Sequence, residues 1–360
     1  MTKQRKAVEL LRSVDIASRV TGIGSVPFSD PGEATELILE SCPIIPYVPQ
    51  LIKRDFRENM FLQFSENLPC IGVNHETKHI FFDGSIDKEK ALAEFYEYVE
   101  GNCYEHFKIT PAYSSAFDVM LKKCRERSTP FIKTQVTGPI TYLLSLINND
   151  KRALIHDADL AEAITLGLAM KGFWQAREIR NIGKIPLLFL DEPSLCELGS
   201  AYLPLSSERV RLFIDLLIGF IKERDKDMLI GLHCCGNTDW RMIMDLNIDI
   251  VSFDVYGFGD KLILYAEELK RFVEKGGFLA FGIVPTSEYE DGITQEILFK
   301  GFVSVLEGFE KKGVHRELLL TNSFFTPSCG MGPLSELKAK RILDLTASLS
   351  RRIQNPSATA

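Results

Sequence analysis

His233 and Cys235 stand at i and i+2 in the run His233-Cys234-Cys235-Gly236-Asn237. In an extended segment such residues point to the same side, so one imidazole and one thiolate can reach a single ion. Cys234 then points the other way, toward packing. Cys329, in Pro327-Ser328-Cys329-Gly330-Met331-Gly332, can supply a second thiolate, and Asp254 is the natural oxygen ligand. Nitrogen, two sulfurs and oxygen make a borderline-soft set that suits Zn²⁺. Taken alone, a single H-x-C pair and free cysteines fit a packed core as well. The other five histidines, His75, His79, His106, His156 and His315, read more simply as solvated surface.

Two further patterns can bind a small molecule. Asp191 and Glu192 are adjacent, and at a strand end they point to opposite sides, so only one faces a pocket easily. The same pair beside Pro193 also reads as the acidic start of a helix. The run Gly22-Ile23-Gly24-Ser25 either brings backbone N–H groups close to an anionic ligand or makes a tight turn.

Something must bring these residues together. Eight short apolar runs read as strands: 19–23, 44–48, 131–136, 185–190, 228–232, 249–253, 277–281 and 317–321. Several are nearly continuous, as strands buried on both faces are. The second is interrupted by Pro43, Pro46 and Pro49, which weakens it. Helical periodicity follows most of them, at 140–148, 157–181, 206–224, 260–275, 294–312 and 333–350. Gly276 and Gly313 stand where helices end. Eight β-then-α units predict an α/β chain folded as a (β/α)₈ barrel, a TIM barrel, whose chemistry sits where strands end. Between strands 2 and 3 lies an insertion, about 67–127, after a helix at 55–67. It holds a hairpin at 71–83 and helices at 88–107 and 112–126. An open doubly wound sheet is the alternative, but no G-x-G-x-x-G opens a first helix. The expected organisation is one barrel over 1–353 and a disordered tail over 354–360.

Composition narrows the partners. With 45% hydrophobic and 25% charged residues over 360 positions, the chain has the balance of a soluble globular protein with a full core. Its net charge of −7 argues against nucleic acid or an anionic membrane as the main partner. No apolar run approaches the ~18 residues of a membrane helix. The first residues, MTKQRKAVELLRSVD, lack the apolar core and cleavage site of a signal peptide. The expected location is cytoplasmic, where the eight cysteines stay reduced.

Taken in order, Ile23-Gly24-Ser25, Thr137-Gly138-Pro139-Ile140-Thr141, Asp191-Glu192-Pro193, His233-x-Cys235-Gly236-Asn237 and Cys329-Gly330 resemble a known superfamily. It is that of cobalamin-independent methionine synthase, in its C-terminal barrel, and the uroporphyrinogen-decarboxylase-like methyltransferases. The resemblance runs from Thr21 to about Leu345. It implies a (β/α)₈ barrel with zinc at the C-terminal mouth. His233, Cys235 and Cys329 fall on the zinc-ligand positions, and Asp254 falls where the methionine synthase has a glutamate ligand. Ile23, Gly24 and Ser25 match the segment that holds the homocysteine carboxylate. Asp191, with Glu192 beside it, matches the acid that holds its amine, and Glu58 matches a further amine-binding acid.

The departures bear on the methyl donor. Ser145 stands where the family has a folate-stacking tryptophan. The catalytic histidine after strand 7 has no counterpart in Gly282-Ile283-Val284-Pro285-Thr286. Methyl transfer to a thiol, with homocysteine as acceptor and a methylated corrinoid protein as donor, is therefore the expected activity. The alternatives are a corrinoid-protein:coenzyme M methyltransferase and a uroporphyrinogen-decarboxylase-like lyase. The lyase needs several arginines and no metal, and the strand ends carry almost none. A zinc-stabilised binding protein is a third alternative, favoured by a closed four-ligand site.

Overall fold

The computed structural model describes residues 3–15, 19–200, 205–287 and 289–354. In chain order it runs α1 (Lys3–Ser13), α2 (Pro31–Ser41), β1 (Ile71–Asn74), β2 (His79–Phe82), α3 (Lys88–Glu100) and α4 (Ser115–Arg125). Then follow β3 (Phe131–Thr137), α5 (Pro139–Leu144), α6 (Ala158–Asn181), β4 (Ile185–Asp191), α7 (Ser207–Arg224), β5 (Leu229–Cys234) and α8 (Trp240–Met244). The chain continues through β6 (Ile250–Asp254), α9 (Val255–Leu262), α10 (Ala266–Glu274), β7 (Phe278–Val284), α11 (Gln295–Lys311), α12 (Arg316–Thr321), β8 (Ser323–Pro327) and α13 (Glu336–Gln354).

β3 to β8 form one six-stranded parallel sheet in sequence order. The two residue runs before β3 that read as strands do not form ladders. They make single parallel bridges instead: Val20 to Phe325 on β8, Ser25 to Gln50, and Tyr47 to Lys133 on β3. Each bridge carries backbone hydrogen bonds, for example Thr21 N–H to Phe325 O (3.1 Å) and Val48 N–H to Lys133 O (3.0 Å). The edges of the sheet are thus linked through segments too irregular to be strands. Pro43, Pro46 and Pro49 remove three of the donors that a regular second strand would need.

Three other expectations are corrected. The run 317–321 is not strand 8 but lies within α12, and β8 starts at Ser323. A short leucine-rich run carries no period that separates helix from strand, and leucine favours helix. The helix expected at 55–67 shrinks to a single 3₁₀ turn, Phe56–Glu58, capped by Asp55. The helix expected at 260–275 divides into the end of α9, a 3₁₀ turn at Ile263–Tyr265, and α10. The hairpin of β1 and β2 is antiparallel, pairing Ile71 with Phe82. Gly276 and Gly313 take φ of 105° and 80° just past α10 and α11, the left-handed conformation that glycine adopts without strain. Most of the expected tail, 355–360, lies outside the described residues.

Alternation along the strands sorts the inner face by height. Phe131, Leu187, Leu229, Ile250 and Phe278 form an apolar cluster at the N-terminal ends, and Ala7 and Leu11 of α1 close it from below. Two and four residues further along come Lys133 and Gln135, Phe189 and Asp191, Gly231 and His233, Ser252 and Asp254. Period-two geometry puts each on the same face as its predecessor. The polar groups therefore collect at the C-terminal ends.

Candidate metal centre

β4 and β5 are in register with Asp191 opposite His233, and β5 and β6 with His233 opposite Ser252. His233 is 3% exposed. Its Nδ1 lies 2.9 Å from Ser252 Oγ, while its Nε2 is buried without a partner among the described residues. A Nδ1–H donated to the serine leaves the Nε2 lone pair free to bind an ion, the usual device for orienting a metal-binding imidazole. Cys235 follows directly after β5, and Cys329 lies two residues after β8. One ligand atom from each of His233, Cys235 and Cys329 lies within 4.8 Å of the others, the one such group among the described residues.

The two thiols behave as a pair. The Cys235 thiol donates to Cys329, which pulls the Cys329 pKa down and pushes that of Cys235 up; burial opposes the first shift and adds to the second. A buried imidazole nitrogen beside two thiols is a three-ligand set whose chemistry fits Zn²⁺. Cys234 is fully buried and packs in the core instead.

The structure places the other expected residues as follows. Asp254 caps α9, its Oδ1 accepting from Gly257 N–H at 2.9 Å. It is outside the three-ligand group but near enough to act electrostatically on Cys329. Asp191 is 7% exposed, and its Oδ1 has no partner among the described residues. Burial raises its pKa, and Lys133 and His233 oppose that. Glu192 is fully buried, and both its oxygens are taken: Oε1 accepts from Ile140 N–H (2.9 Å) and Oε2 from Thr141 N–H (2.8 Å). It caps α5 from the neighbouring strand end, and burial pushes its pKa up to about 7. Glu58 is likewise buried, accepting from Ser115 Oγ (2.6 Å), Arg54 (3.0 Å) and Leu51 N–H (3.1 Å).

Ser25 meets the loop of Cys329. Its carbonyl accepts from Met331 N–H (2.8 Å) and its Oγ from Gly332 N–H (3.2 Å). A Cβ at Gly330 would stand 2.3 Å from that Oγ, so any larger residue there would displace the Ser25 hydroxyl. Ser145, at the C-terminal end of α5, lines a cavity of about 510 Å³ together with Phe56, Asn59, Phe61, Lys78 and His79. Two residues escape the sequence reading. Ser252 looks like an ordinary small residue in an apolar strand, and Lys133 like a break in one.

No family model and no curated protein matches this sequence. Solved structures do. A B12-independent methionine synthase from Shewanella sp. W3-18-1, in complex with selenomethionine, is 14% identical with a TM-score of 0.61, covering 95% of this chain and 99% of that one. A methyltransferase from Methanosarcina mazei is 13% identical with a TM-score of 0.57, covering 97% and 98%. A putative vitamin-B12 independent methionine synthase from Listeria monocytogenes is 15% identical with a TM-score of 0.52, covering 98% and 94%. None of the described helices is long and apolar enough to cross a membrane. In fold, this chain resembles the cobalamin-independent methionine synthase and methyltransferase structures.

Proposed function

We propose that this protein is a zinc-dependent methyltransferase that methylates a thiol, with homocysteine as the acceptor, on a (β/α)₈ barrel whose first two positions are the bridged segments before β3. The observation that supports the reading is that one ligand atom each from buried His233, Cys235 and Cys329 lies within 4.8 Å of the others, with His233 Nδ1 taken by Ser252. His233, Cys235 and Cys329 would hold the zinc, with Ser252 fixing the imidazole. Bound zinc supplies a Lewis-acid position that lowers the pKa of an incoming thiol from near ~8.5. Asp191 offers an unpaired buried carboxylate oxygen to the ammonium of the acceptor. The N–H groups of residues 23–25 receive its carboxylate. Asp254, outside the three-ligand group and capping α9, would act on bound zinc through its charge.

The donor in this reading is a methylated corrinoid protein. Ser145 cannot stack on a folate as tryptophan does, and the cavity beside it carries Phe56 and Phe61 from the segment before the hairpin. Coenzyme M is the rival acceptor. It has a sulfonate and no amine, so it would leave Asp191 Oδ1 unmatched. The test is metal analysis followed by calorimetry with homocysteine in buffers of different ionisation heat. About one zinc per chain and one proton released per thiol bound are expected. Protein that holds zinc but binds coenzyme M and not homocysteine would refute the acceptor.

A further inference from the structure

Lys133 is fully buried on the inner face of β3, among apolar residues of the interior. Burying an ammonium is costly unless its hydrogen bonds are made. Its Nζ donates to the Ile23 carbonyl in a short contact and reaches Gln135 Oε1 at 3.4 Å. It lies 4.6 Å from the centre of the Phe189 ring. Gln135 in turn donates to Val48 O (3.0 Å). These two side chains on β3 thus hold carbonyls of both irregular segments.

The contact with Ile23 fixes more than one atom. In a trans peptide the C=O of Ile23 and the N–H of Gly24 point in opposite directions. Tying that carbonyl to Nζ turns the Gly24 N–H away from Lys133. No described residue accepts from the N–H of Gly24 or Ser25. Two amides without an acceptor among the described residues and a buried cation form one electropositive corner, and the charges of Lys133 and Asp191 act on one another.

We propose that Lys133 is the positioning residue of the acceptor's carboxylate subsite: it orients the Gly24 amide, next to that of Ser25, and supplies the buried positive charge behind it. The inference rests on the amino-acid thiol reading above. Its consequence is selectivity, because a thiol lacking a carboxylate gains nothing from this corner.

The test uses zinc-loaded full-length protein and two ligands, homocysteine and 3-aminopropane-1-thiol, which lacks only the carboxylate. Lys133→Met removes the charge and keeps the chain's apolar bulk. Calorimetry should show its dissociation constant for homocysteine rise about 10- to 100-fold, the range for one charge-assisted hydrogen bond. For the aminothiol the rise should stay within about threefold, with zinc content unchanged. Lys133→Gln, which keeps a donor for Ile23, should fall between and serves if Lys133→Met does not fold. Equal losses for both thiols, or loss of zinc, would make Lys133 a structural residue and overturn the proposal. Wild-type protein that binds neither thiol would overturn the underlying reading instead.

Discussion

Removing the Ser252 hydroxyl asks whether the imidazole of His233 is oriented for a metal. Ser252 is fully buried and His233 is 3% exposed, with 2.9 Å between Nδ1 and Oγ. In Ser252→Ala, Nδ1–H loses its acceptor, and the void left is smaller than the roughly 30 Å³ a water occupies in the liquid. An unsatisfied buried donor costs about 1–3 kcal/mol. The ring has two ways to respond. It can shift its proton to Nε2, which blocks metal binding, or keep the tautomer and bear the cost. Either way zinc affinity should fall by about 10- to 100-fold, which is about 1.4–2.8 kcal/mol. Competition against a fluorescent chelator at constant pH measures it, with Ser252→Thr as the variant that keeps a hydroxyl. A zinc affinity within about twofold of wild type in Ser252→Ala would refute the reasoning. So would a loss of stability with zinc affinity intact, because Ser252 would then serve packing alone.

Cys235→Ala or Cys329→Ala should remove most of the zinc and Cys234→Ala should retain it, as metal analysis after dialysis can check; the reverse order would invert the assigned side-chain directions. Asp254→Ala should weaken zinc less than Cys329→Ala, since Asp254 lies outside the three-ligand group; equal losses would indicate a closed structural site. Asp191→Asn should weaken homocysteine by on the order of 2–3 kcal/mol, because a buried ammonium is left without its anion, while coenzyme M binding in calorimetry stays unchanged. Glu192 has a folded pKa of about 7 against an ordinary 4.5. Between those values the folded state holds the extra proton, so this group makes stability fall as pH rises from about 4.5 to about 7. Glu192→Gln should flatten that part of the pH profile of thermal unfolding, and an unchanged slope would show that Glu192 is not its source.

Much of the sheet was legible because β3 to β7 are buried on both faces and so read as apolar runs with helical patterns between them. β8 was not. Ser323-Phe324-Phe325-Thr326-Pro327 is short and polar at both ends, while the leucines just before it look more like a buried strand than they are. The correction tightens the site, since Cys329 follows the strand by two residues. Period-two geometry puts His233 and Cys235 on one side and the loop after the last strand offers Cys329, while the order of motifs along the chain is what favours a metal site over a packed core. Glu192 shows the opposite limit. From sequence the Asp191-Glu192 pair is open between pocket acid and helix-start acid; both Glu192 oxygens are held by backbone N–H groups of α5, reached through a strand pairing that local sequence does not encode. Lys133 was invisible for a related reason: a charge in an apolar run takes its meaning from the carbonyl it meets, and that carbonyl is 110 positions away.

The bridged segments before β3 make the wall around the site mechanically uneven. Five neighbouring strand pairs share ladders, with one irregularity between β7 and β8, while the remaining sector is held by single bridges and by two side chains reaching across from β3. Opening fluctuations concentrate where the fewest backbone hydrogen bonds must break. That compliant sector carries Ile23, Gly24 and Ser25, whereas Asp191 and His233 sit on the stiff one. A ligand gripped by both would clamp the loose side against the rigid side and lose part of its affinity to that ordering. Acceptor capture would then be felt as tension between sectors, with Lys133 at the hinge line where they meet.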